Sequence, residues 1–347
     1  MGDRAGKLLL NVERAAYLVA ASVLARLPAA LGYRMACWRG DWLFRCQAGK
    51  RTEMARNLQL VLGNELSPAA AQQVTRDWFR LASCEVVDVK RLRHMARPLR
   101  RLVEIRGREH LEAALASGKG VILCTGHFGA HKSGFSVLHT SGFPVTSIGR
   151  WWYKYEVGIS SAERRLWDLY FRPVRRHRQR PNIEPWPGRP EVAALAAAAL
   201  RANEVVTIAI DVPPLGSDQA RAVGVPFLGR RAALLPGAVA LAQATGAPLL
   251  MGFLYRSADY RHQVLEISAP VSAEGEIATA FERCVAEVSA AIRRSPAHWE
   301  FWAKTDVLAF LGLIPPQQER SLGAGPVLLQ DGRFPHDGSK DSVPARG

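Results

Sequence analysis

Apolar positions in the first third of the chain recur at helical spacing with charged residues between them, which predicts helices over about 8–27, 53–62 and 69–95. Pro28 stops the first, and Ser67-Pro68 opens the last. From Val103 the pattern changes to short apolar runs separated by helical stretches. VEIRG, GVILCTGHFG, FPVTSIG, VVTIAID, PLLMGFLYR and HQVLEIS predict strands, while EHLEAALASG, PEVAALAAAALRAN and LLPGAVALAQATG predict helices. A last helix is expected over about 277–294. The alternation is that of an α/β fold, with helices covering the faces of a sheet. After Pro315 and Pro316 the sequence loses periodicity and is rich in Gly, Pro, Ser and charge, so disorder is expected there. The predicted organisation is a helical region over 1–98, an α/β domain over 99–314 and a disordered tail over 315–347.

The first helix contains a charge-free run, AAYLVAASVLA, bounded by Arg14 and Arg26. It is shorter than the about 20 apolar residues that a membrane-spanning helix needs. Glu13 precedes the run and no clear small-residue cleavage site follows before Arg34, Arg39 and Arg45, which disfavours a secretory signal. Two readings stay open: an ordinary core helix, or a helix lying in a membrane interface. Lys and Arg number 46 against 31 Asp and Glu, a formal net charge of +15, while 48% of residues are hydrophobic, too many for a disordered polycation. The surplus implies an anionic partner: nucleic acid, an acidic membrane, a phosphorylated substrate or an acidic carrier protein. Cys37, Cys46, Cys84, Cys124 and Cys284 form no CxxC pair, which fits a reducing compartment and buried apolar roles.

Candidate chemistry concentrates at Gly126-His127-Phe128-Gly129, directly after an apolar run. A histidine there can project into a cleft while the flanking glycines leave room for a substrate, which suits a general base. His131 and Lys132 are either solvated residues opening the next helix or contacts to a phosphate. Farther on, WWYKYE and Arg164, Arg165, Arg172, Arg175, Arg176, Arg178 and Arg180 are interleaved with Trp167, Tyr170 and Phe171. Cations mixed with rings fit a membrane interface, single-stranded nucleic acid or a plain solvated face. Phosphate-loop, HExxH, GxSxG and strand-linked GxGxxG motifs are absent, so nucleotide hydrolysis, zinc peptidase, serine esterase and dinucleotide chemistry lack their signals.

Three long blocks, VEIRGREHLEAALASGKGVILCTGHFG, IDVPPLGSDQARAVGVPFLGRRAALLPGAVALAQATGAPLL and SPAHWEFWAK, carry a family likeness. Arg56-Asn57-Leu58, Arg150, Asp211, Val225-Pro226-Phe227-Leu228-Gly229, Thr245-Gly246-Ala247-Pro248, Pro296 and Trp299 agree with it in order and spacing. Over about residues 8–305 the chain resembles the bacterial lipid A late acyltransferases, which include lauroyl and myristoyl transferases and the phosphatidylinositol mannoside acyltransferases, within the lysophospholipid acyltransferase superfamily. The resemblance implies a glycerolipid-acyltransferase-like mixed sheet flanked by helices, with an N-terminal membrane-associating helical region. It further implies transfer of an acyl group from an acyl carrier protein or acyl-CoA thioester to a hydroxyl of an anionic membrane glycolipid or lysolipid, at the cytoplasmic face of the membrane. On this likeness the protein is peripheral or monotopic, nucleic acid is not a partner, and neither metal nor organic cofactor is needed.

The site residues follow from the same likeness. His127 is the expected general base and Gly126, Phe128 and Gly129 shape the loop around the substrate. Arg150 is expected to hold a phosphate, and Phe227 and Gly229 either wall an acyl channel or belong to an apolar loop packed on the sheet. Trp299 and Trp302 are expected as core or interface anchors. The family's orienting carboxylate follows its histidine after four intervening residues, and Lys132 stands there instead. Three possibilities remain: another acid reaches the ring, Asp211 first and Glu156 second; His127 works without one; or the chain is a degenerate lipid-binding or accessory member.

Overall fold

Four helices come first: α1 (Gly2–Leu24), α2 (Ala29–Cys46), α3 (Ala48–Leu62) and α4 (Pro68–Arg91). The computed structural model describes residues 2–63, 65–92, 102–149, 160–177, 182–185, 191–214 and 216–316; the tail over 317–347 lies outside them. α4 begins as its sequence predicts, the Ser67 hydroxyl accepting the Ala70 N–H at 3.2 Å with Pro68 in the first turn. α2 was not among the predicted elements, because arginines interrupt its apolar residues and blur the helical period. α1 spans different bounds from the predicted 8–27, and its apolar run is divided between two environments. Tyr17, Ala21 and Leu24 are buried, whereas Val12, Val19 and Val23 are exposed. No helix among the described residues is long and apolar enough to cross a membrane.

The strands follow the predicted runs: β1 (Val103–Arg106), β2 (Val121–Thr125), β3 (Val145–Ile148) and β4 (Val205–Ala209). A hairpin comes next, β5 (Val223–Phe227) and β6 (Arg230–Leu234), then β7 (Leu249–Arg256) and β8 (Gln263–Ile267). The hairpin replaces the loop considered for Val225 to Gly229. Leu228 and Gly229 both have positive φ, 50° and 81°, the two-residue turn whose twist suits a hairpin. A leucine in the position that asparagine or aspartate usually fills hides that turn from a sequence reading.

Six strands form one mixed sheet in the order β1-β8-β7-β2-β4-β3. β7, β2, β4 and β3 run parallel, and β8 turns antiparallel to β7 and carries β1 parallel to itself. The remaining helices are α5 (Arg108–Leu115), the short turns α6 (His131–Gly134) and α7 (Ser136–Thr140), α8 (Ser161–His177), which packs on α1 and α4, α9 (Glu191–Arg201), α10 (Gly237–Thr245), α11 (Ile277–Arg294) and α12 (Thr305–Phe310). β2 is buried along its whole length because both faces are covered. Val121 and Leu123 point into one apolar layer with Leu111, Leu138 and Phe171; Ile122 and Cys124 point into the other with Val239 and Phe281. In the basic aromatic segment, Tyr170 and Phe171 belong to this core, which accounts for part of its interleaved pattern. Trp151, Trp152 and Tyr153 lie outside the described residues.

A buried ion pair ties the helical part to the sheet. Asp88 of α4, 1% exposed, accepts the Tyr33 hydroxyl at 2.6 Å and the guanidinium of Arg256 at the end of β7, itself 4% exposed. Removing one member of such a pair strands a charge in the interior, which costs about 3–5 kcal/mol. Asp88→Ala should therefore lower the urea midpoint at unchanged slope. The double variant Asp88→Ala/Arg256→Met should recover most of that loss, and equal midpoints for single and double variants would contradict the account.

Candidate functional site

β2 and β4 are parallel neighbours whose last matched residues are Thr125 and Ala209. The Ile210 N–H donates to the Thr125 carbonyl at 2.9 Å and carries the ladder one step farther. His127 and Asp211 each stand two residues beyond that last match, so the strand register sets them side by side. They sit at the carboxyl edge of the sheet, where open α/β folds form their ligand crevices.

Asp211 is 1% exposed and receives three donors. Its Oδ1 lies 2.8 Å from His127 Nδ1; its Oδ2 accepts the His127 backbone N–H at 2.7 Å and the Trp299 indole N–H at 2.9 Å. Burial alone would push the carboxyl pKa up, yet His127, the indole and the backbone amide hold it below its ordinary value. Burial pulls the imidazole down, and Asp211 with Glu300 more than offsets this, so the His127 pKa is raised. A carboxylate only accepts, so Nδ1 carries the proton that Oδ1 receives and the neutral ring keeps its lone pair on Nε2. The His127 side chain is 26% exposed, which leaves the ring open to an approaching group.

The glycines of the loop are required by the protein's own atoms. A Cβ at Gly126 would sit 2.9 Å from Asp211 Oδ2 and 3.1 Å from Val288 Cγ1. Gly129 has φ +64°, and a Cβ there would meet the Leu254 carbonyl oxygen at 1.9 Å. The loop is clamped to residues 298–300: the Gly129 N–H donates to the His298 carbonyl at 2.8 Å, and the Glu300 N–H to the His127 carbonyl at 2.9 Å. Phe128 and Trp299 form the bridge between them, both fully buried. Alternation along this short extended piece turns Phe128 inward, where it stacks on His298 at 5.3 Å, and turns His127 outward. The Phe301 ring lies 4.6 Å from the imidazole and the His131 ring 5.1 Å from it.

Lys132 sits inside an ion cluster. Its ammonium donates to Glu300 Oε2 at 2.7 Å and to Glu85 Oε2 of α4 at 3.1 Å, and His131 Nε2 lies 3.6 Å from the same Glu300 oxygen. Against the effect of burial, the two carboxylates raise the lysine pKa, and Lys132 holds Glu300 well below the carboxylate range. Glu85 is the weaker acid, raised by burial, and its Oε1 has no hydrogen-bond partner. Burial and Lys132 push His131 down to about 3, so that ring is neutral.

Of the residues expected from sequence, His127, Asp211, Gly126, Phe128, Gly129 and Lys132 thus converge. Phe227 is buried with its ring 5.8 Å from Trp299, and Gly229 lies in the hairpin turn. Arg150 and Glu156 fall outside the described residues. Sequence reasoning missed the indole of Trp299 as a donor to Asp211, and Glu85 and Glu300 as partners of Lys132. The SPAHWEFWAK block was the available signal for two of these; nothing along α4 marks Glu85. Among the described residues, no group of three His, Cys, Asp or Glu is arranged to hold a metal ion.

The mixed sheet and its edge define an α/β protein in which a partly exposed histidine is paired with a buried carboxylate, as in groups used for proton transfer. The chain belongs to the family of bacterial lipid A biosynthesis acyltransferases, whose match spans residues 6–305. A search of curated proteins finds no match to it. Gly126→Ala should displace the Asp211 carboxylate, lower stability by about 1–3 kcal/mol as overpacking does, and remove the hydrogen-bonded His127 Nδ1–H resonance from the NMR spectrum. Retention of that resonance would contradict the loop geometry.

Proposed function

We propose that the protein moves a fatty acyl group from an acyl carrier protein or acyl-CoA thioester to a hydroxyl of a membrane glycolipid or lysolipid, with His127 as general base and Asp211 as its orienting acid. The observation that carries this reading is the 2.8 Å contact between His127 Nδ1 and Asp211. It leaves Nε2 unprotonated on a ring that is 26% exposed, ready to take the acceptor's hydroxyl proton. The hydroxyl oxygen then attacks the thioester carbonyl, a C–O bond forms, and the C–S bond breaks as the tetrahedral adduct collapses. The thiol leaves with the proton that the imidazolium returns, so His127 ends neutral. Asp211 stays ionised throughout and stabilises the transient imidazolium. The degenerate-member alternative rested on Lys132 standing at the family's acid position; the contact of Asp211 with the ring supports the catalytic reading over it.

A surface on the helical part supports action at a membrane. Leu31, Met35, Trp38 and Trp42 form an exposed stripe at heptad-like spacing on α2, and Val12, Val19 and Val23 form another on α1. Arg26, Arg34 and Arg45 are exposed beside them, and the Arg34 guanidinium lies 5.3 Å from the Trp38 ring. Tryptophan with arginine suits the head-group level of an anionic bilayer. On this reading the protein is peripheral or monotopic on the cytoplasmic face, and α2 contributes as much as the charge-free run of α1.

Turnover of an acyl thioester with lipid hydroxyl acceptors tests the chemistry. His127→Ala should abolish it, and Asp211→Asn should lower it by about 10²–10⁴, the range of such general-base assemblies. The rate should fall as pH drops through the raised His127 pKa, and that limb should move to lower pH in Asp211→Asn. Full turnover by His127→Ala would overturn the mechanism. For the surface, Trp38→Ser/Trp42→Ser should reduce flotation with anionic vesicles, and flotation equal to wild type would remove the stripe from the interface.

A further inference from the structure

The ion cluster beside His127 is unused by the acyl-transfer scheme, yet it joins three parts of the fold. Lys132 opens the turn after the loop, Glu300 lies on the segment clamped to that loop, and Glu85 comes from α4. Resting on the general-base reading of His127, we propose that Lys132 and Glu300 are positioning residues: Lys132 ties Glu300 to α4, and Glu300 presents a carboxylate to the histidine while its segment keeps Trp299 on Asp211.

Connectivity supplies the first argument. The Glu300 N–H holds the His127 carbonyl, and the adjacent Trp299 indole holds Asp211. Freeing the Glu300 side chain would loosen both restraints on the pair. Charge supplies the second. Asp211 from the end of β4 contacts the His127 ring, the His131 ring lies 5.1 Å from it with Nε2 3.6 Å from Glu300 Oε2, and Lys132 donates to that same Glu300 oxygen at 2.7 Å, which puts Lys132 and Glu300 among the charges acting on the ring. Glu85 bonds Lys132, and Lys50 on α3 interacts electrostatically with Glu300. With His131 neutral, Glu300 favours the imidazolium and Lys132 opposes it, so the two act on the ring with opposite signs.

The cluster also decides what a carboxylate at position 132 would do. With the ammonium in place, one cation serves two acids whose side chains are 12% and 27% exposed. Lys132→Glu would set a third carboxylate against them, so by itself it should damage the site and not restore an orienting acid. Exchanging the charges, Lys132→Glu/Glu300→Lys, keeps one cation between two acids and should be tolerated better.

The test is an NMR titration of the His127 ring in histidine-labelled full-length protein, assigned with His127→Ala, alongside thioester turnover against pH. Lys132→Met should raise the His127 pKa and Glu300→Gln should lower it, each by about 0.5–1 unit. The acid limb of kcat/KM should move the same way, and the charge exchange should melt above Lys132→Glu alone. A role in folding only would leave the titration in place or move it in one direction for both variants. Either of those results, or an exchange no better than Lys132→Glu, overturns the proposal. Should Lys132→Met fail to fold, the direction of the Glu300→Gln shift decides. Full turnover by His127→Ala would instead sink the general-base reading, while the titration still tests the cluster.

Discussion

A carboxylate taken out of water stays ionised only where donors replace its hydration shell, and Asp211 is such a group. Three N–H bonds converge on it: one from the backbone that follows β2, one from the imidazole on that backbone, and one from an indole more than eighty residues away in sequence. Each donor brings a constraint. The backbone amide has to come within 2.7 Å, which leaves no room for a Cβ at residue 126. The indole has to be buried at the same point, which fixes the 298–300 segment against the loop. The site is accordingly a consequence of satisfying one buried charge.

The same logic extends outward. Clamping the segment brings Glu300 beside the loop, a second acid near the histidine, and Lys132 meets it there. Lys132 in turn recruits Glu85 from α4, three residues before Asp88, whose pair with Arg256 ties that helix to β7. Arg256 also donates its backbone N–H to His298 at 2.9 Å, which closes a loop of contacts from α4 through the sheet edge to the clamped segment. The helical part is therefore polar-bonded to the site, while the stripe of Leu31, Met35, Trp38 and Trp42 on its α2 stays exposed.

Much of this was legible in the sequence, for reasons that can be stated. The strand runs were recognisable because a doubly covered sheet needs continuous apolar segments, and β2, VILCT, is one. His127 stood out from its flanking glycines, and Asp211 from its place at the end of the VVTIAID run. Equal offsets from paired parallel strands then made them neighbours, which only the register reveals. α2 was obscured by its arginines and the β5–β6 turn by Leu228. The glycines of the loop invited a reading of open space for substrate, whereas Asp211 and Leu254 fill it. Lys132 was read as a lost acid because its partners, Glu85 and Glu300, are remote in sequence; in space it is the cation of a compensated cluster.

The account stands on the proton of the His127 ring. Nitrogen-15 shifts of the imidazole, measured above its pKa in the free protein, report which nitrogen carries that proton. We predict Nδ1–H bonded to Asp211 and an unprotonated Nε2. A ring protonated on Nε2, with Nδ1 bare against the carboxylate, would contradict both the assignment of the buried charge and the role built on it.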